Sequence, residues 1–172
     1  MNTNQLYTLA GAAALAGGSA RIVAAFPLWR DPLVLEWLYT AIDVLLLFGL
    51  IGIYLQRAQR FGFLGLASFG VAVAALSFIG GPDADPFGFS TYEQGATTLA
   101  IAMVGFALAW LRAGERPIWA PLCWFGSVIA AGVLGVLPAP LPGYGLQAAG
   151  VLFGAGFAFA GVHLLQSKAP TQ

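Results

Sequence analysis

The sequence predicts an all-α membrane protein, a bundle of six transmembrane helices joined by short loops. Two observations predict it. Only seven Lys or Arg and seven Asp or Glu occur in 172 residues, a charged fraction of 8% against 59% hydrophobic. A soluble domain carries roughly 25% charge. The mean hydropathy of +0.83 leaves too few polar groups to cover a water-facing surface. The apolar residues also gather into six segments of about the length that crosses a bilayer, roughly 20 residues each. No alternating strand pattern suggests an outer-membrane barrel.

The first segment runs from about Gln5 to Ala25 and stops at Phe26-Pro27. No Lys or Arg precedes Arg21, so it reads as a span rather than a cleaved leader. The second runs from Pro32 to Gln56. Pro32 suits a first helical position, where its missing N–H is not needed. The third covers Phe61 to Ile79 and ends at Gly80-Gly81-Pro82. The fourth runs from about Tyr92 to Leu111, with Thr91 or Ser90 as N-cap. The fifth begins at Pro117 or Ile118 and ends at Leu137, before Pro138-Ala139-Pro140. The sixth runs from about Tyr144 to Leu165.

With six spans, Arg57, Arg60, Arg112, Arg116 and Lys168 share one side, against Arg21 and Arg30 on the other. The positive-inside rule then makes both termini cytoplasmic. The whole chain, 1–172, reads as one integral membrane domain. Three-helix halves, 1–80 and 91–166, resemble each other in plan, an arrangement found inverted in transporters. Their residue match is weak.

Lipid supplies no hydrophobic drive between helices, so small residues must let backbones approach. Ala14 and Gly18, Gly49 and Gly52, Gly62, Gly65 and Gly70, Gly132 and Gly135, and Gly150, Gly154, Ala158 and Gly161 suit that task. Tight packing within the chain is the first reading of these positions. A homodimer seam or membership of a larger membrane complex is the other.

Ionisable groups within spans are costly and therefore functional candidates. Glu36, Tyr39, Thr40 and Asp43 stand at i, i+3, i+4 and i+7, on one helix face. Asp43 is eleven residues past Pro32, about 16 Å at 1.5 Å per residue, near the middle of a core about 30 Å thick. Ser68 and Ser127 are its expected hydrogen-bond partners. Arg21, on the neighbouring helix, is the expected partner of this face, at a depth comparable with Glu36 and with a side chain long enough to reach towards Asp43 or outwards. Glu93 and Thr97, with Gln94 and Thr98 beside them and Tyr92 and Gln147 at similar depth, form a second polar group. Together these residues predict an outward-facing polar pocket, covered by the loop holding Asp83 and Asp85.

Other chemistries find no support. Net charge is zero and no basic run suits nucleic acid. Cys123 has no partner for a disulfide, and the lone His163 sits in no metal-ligand spacing. No phosphate loop, dinucleotide fingerprint or HExxH motif occurs, and nothing indicates a cofactor. Three functions therefore stand side by side. One is a small-solute transporter or permease in a bacterial inner membrane. The next is a non-enzymatic lipid-binding, apolar-ligand-binding or accessory protein. The last is an intramembrane enzyme using Glu36, Asp43 and Glu93 on a lipid-like substrate. Membrane lipids are the partners common to all three.

Overall fold

The computed structural model describes residues 3–79, 90–138 and 141–167. Five helical elements follow in order: α1 (Thr3–Ala24), α2 (Pro32–Ile79), α3 (Thr91–Arg112), α4 (Trp119–Gly135) and α5 (Leu141–Gln166). The protein is an all-helical, multi-spanning membrane protein. Among the described residues four helices, α1, α2, α3 and α5, are long and apolar enough to cross a membrane, not six.

Two features correct the expected count. The expected second and third spans are one 48-residue element, α2. Gln56, Arg57, Ala58, Gln59 and Arg60 suggest a loop by their polarity, but all five residue types are good helix formers, and the helix runs through them. It breaks at Gly62, whose φ of 59° and ψ of −162° lie outside the helical region. A positive φ of this kind costs glycine little and other residues more. Tyr54 and Phe69 would stand about 22 Å apart along an unbroken helix. Their rings instead stack at 4.2 Å between centroids, so the chain folds back on itself at Gly62. The expected fifth span is also shorter. It begins at Trp119 and ends at Gly135, 17 residues, about 26 Å at the helical rise. The assignment of both termini to the cytoplasm rested on six spans and falls with that count.

Helix starts follow from local chemistry. Pro32 is the first residue of α2, and the Asp31 carboxylate accepts from the Leu33 amide at 2.9 Å. Ser90, rather than Thr91, caps α3. Its hydroxyl oxygen accepts from the Glu93 amide at 3.2 Å, which satisfies one of the unpaired first-turn donors.

The elements pack as a ring. α1 lies between α5 and the first arm of α2, the second arm of α2 packs on α3, α3 on α4, and α4 on α5. Small residues set the closest approaches. A Cβ on Gly18 would come within 2.5 Å of the Gly154 carbonyl oxygen. Gly11 faces Gly161, and Gly49 and Gly52 face Ala14 and Ala10. These glycines therefore serve contacts within the chain. Inside the ring, Phe61, Phe106, Trp110, Trp124 and Phe157 form a continuous column of ring contacts, with centroids 5.1 to 5.9 Å apart. All five are buried.

Candidate functional site

The first polar group joins α1, α2 and α5. Arg21 lies in the last turn of α1, its guanidinium 5.4 Å from the centre of the Tyr39 ring. The Tyr39 hydroxyl donates to the Ala24 carbonyl at 3.2 Å, which holds the ring against α1. On α5, Gly150 lies beside the guanidinium, and a Cβ there would stand 3.9 Å from it. Asp43 is one turn beyond Tyr39 on α2, half-buried and under the electrostatic influence of Arg21. Its carboxylate makes no hydrogen bond, and no ion pair within 4 Å, with the described residues. Neither Ser68 nor Ser127, both buried, bonds to it.

The remaining expected site residues lie apart from this group. Glu36 is exposed on α2 and forms no ion pair with Arg21. Thr40 turns back along its own helix and donates to the Glu36 carbonyl at 2.9 Å. Glu93 and Thr97 are exposed on α3, which packs on the second arm of α2 and on α4 rather than on α1 or α5. Gln147 is half-buried on α5, one turn before Gly150. Arg21, Tyr39 and Asp43 are thus brought together, while Glu36, Glu93 and Thr97 face outward. The loop holding Asp83 and Asp85, and Lys168, lie outside the described residues. Among the described residues, no group of His, Cys, Asp and Glu is placed to hold a metal ion.

A second polar centre surrounds Arg57, one of the basic residues that the sequence places together on one side of the membrane. This guanidinium is 3% exposed and lies 4.2 Å from the Trp110 ring centre. It donates to the Ile53 carbonyl at 3.4 Å and to the Arg116 carbonyl at 3.2 Å. Its Nε is 3.6 Å from the Glu115 carboxylate, which Arg60 also contacts at 2.5 Å. The Trp110 indole donates to the Glu115 carbonyl at 3.0 Å. His163 lies within electrostatic reach of Arg57 and Glu115. This centre ties α2 to the turn between α3 and α4. Its sequence signal is periodicity. Leu46, Leu50, Ile53 and Arg57 continue one inward face at i, i+4, i+7 and i+11.

Chemically, the Arg57 guanidinium is held by two carbonyls and a nearby carboxylate, with only its Nε left without a hydrogen bond, whereas Asp43 offers an unengaged carboxylate beside a cation. The chain matches no family model, and neither the curated proteins nor the solved structures contain a significant match to it.

Proposed function

We propose that the protein is a permease for a small solute, with Asp43 handling a proton or cation and Arg21 and Tyr39 beside it on the path. The carrying observation is the Asp43 carboxylate, set in a long apolar helix with no direct bonding partner among the described residues. An unpaired acid at such a position is costly in lipid and commonly marks an ion or proton route. Arg21 supplies a counter-charge without occupying the carboxylate, which leaves it able to bind and release. A bacterial inner membrane suits apolar helices of this kind. A homodimer suits a chain with so little body for alternating access.

Reconstituted vesicles test the proposal. Proton or solute flux through the native protein should exceed that of empty vesicles, and Asp43→Asn should reduce it at least about tenfold. Asp43→Glu should retain part of it. Native flux equal to empty vesicles, or unchanged flux in Asp43→Asn, would overturn the proposal.

The aromatic column favours a second reading, a non-enzymatic apolar-ligand-binding or accessory protein. Rings from Phe61 to Phe157 fill the interior continuously, which makes it an apolar core rather than a polar route. A lipid or pigment retained by the purified protein in native mass spectrometry, with no flux, would support this reading over transport.

A further inference from the structure

The turn that closes over Trp110 leaves basic groups on its outside. The Glu115 amide donates to the Trp110 carbonyl at 3.3 Å and the Gly114 amide to Leu111 at 3.1 Å. Gly114 has a φ of 66°, which lets the chain reverse so tightly. Arg112 and Arg116 therefore flank Glu115 at the end of α3, both exposed. The Glu115 carboxylate does not neutralise them, because it is engaged by Arg57 and Arg60. Arg60, whose side chain is 73% exposed, adds a third guanidinium to the same rim. Trp119, exposed at the start of α4, supplies the aromatic group common at a membrane–water boundary.

Below this rim, α3 presents an apolar strip. Ile101, Leu108 and Leu111 are exposed, and Ile101, Leu108 and Arg112 share one helix face at i, i+7 and i+11. From Ile101 to Arg112 the helix rises about 16 Å, close to the thickness of one leaflet of a core about 30 Å across. A charged crown therefore stands one acyl-chain length above the foot of an apolar strip.

We propose that this turn is a binding site for an anionic phospholipid. Arg112 and Arg116 grip its phosphate, Arg60 stands beside them, and an acyl chain lies along Ile101, Leu108 and Leu111. Guanidinium forks match phosphate oxygens in pairs. The net positive rim selects an anionic headgroup over a zwitterionic one. The inference does not depend on the transport proposal, since it uses none of its residues.

Native mass spectrometry of the full chain, delipidated and titrated with phosphatidylglycerol or with phosphatidylcholine of the same chains, reads the site. Phosphatidylglycerol should bind more tightly, and Arg112→Gln and Arg116→Gln should each weaken it about fivefold at low salt. The Arg112→Lys/Arg116→Lys protein keeps the charge and tests the fork; its loss should be smaller. Arg30→Gln, at an exposed position outside this turn, should bind as the native protein does. Equal binding of the two lipids, or unchanged binding by Arg112→Gln/Arg116→Gln, would overturn the site. Displacement of the lipid by millimolar glycerol phosphate would also overturn it, by showing a site for a free anion.

Discussion

Arg57 shows how much a single side chain can gather in a protein with so few charges. Its guanidinium meets a tryptophan ring, two carbonyls and a carboxylate shared with Arg60. Removing one member of a buried pair leaves the other charge stranded, whereas removing both is often nearly neutral. Arg57→Met should therefore lower unfolding free energy by about 3 kcal/mol, and Arg57→Met/Glu115→Gln should recover part of the loss. Denaturant titration in detergent micelles measures both, and a cost below about 1 kcal/mol for Arg57→Met would show that the centre is not holding α2 to the turn. Residue spacing made part of this chemistry readable. It placed Tyr39 and Asp43 on one face of α2 and Arg21 near them, as found. It could not tell which side of that face meets a neighbour, and so it left Arg21 between Glu36, which is exposed, and Asp43. Arg57 was missed because a polar stretch looks like a loop, although its position continues the inward row of Leu46, Leu50 and Ile53.

The helical elements were legible wherever a breaker marks their ends. Phe26-Pro27, Pro32 and Ser90 bound α1, α2 and α3 to within a few residues of expectation. Between Gln56 and Phe61 the charged residues resemble a loop, but they are helix formers and carry the backbone on to Gly62. At Gly62 the need is conformational rather than steric, since a Cβ there would meet nothing within 4 Å. Gly62→Ala and Gly62→Asn should each cost about 1–3 kcal/mol, because φ 59° with ψ −162° lies in a region essentially reserved for glycine, not in the left-handed helical region that Asn tolerates. Thermal unfolding of the two variants in detergent gives the comparison. Equal midpoints for both and for the native protein would mean that the fold-back does not rely on this residue.

Across the whole molecule, cohesion depends on where backbones touch rather than on how much apolar surface exists, because lipid solvates that surface equally well. The stripes of small residues announced this in the sequence, but they could not say whether the partner was the same chain. The structure pairs Gly18 with Gly154 and Gly11 with Gly161, joining α1 to α5. Gly18→Ala would press a methyl against a carbonyl oxygen and should cost about 1–3 kcal/mol. Gly132→Ala, in open space on α4, should cost nothing and can gain up to about 1 kcal/mol in helix propensity. A shared unfolding midpoint for the two variants would contradict this packing scheme. The same seam governs biogenesis. Its two sides are the first and last helices of the described chain, so α1 leaves the ribosome well before its closest neighbour exists. At synthesis rates of about 5–20 residues per second, α1 waits on the order of ten seconds with its glycine face uncovered. During that interval the Gly11 and Gly18 face of α1 has no partner within the chain.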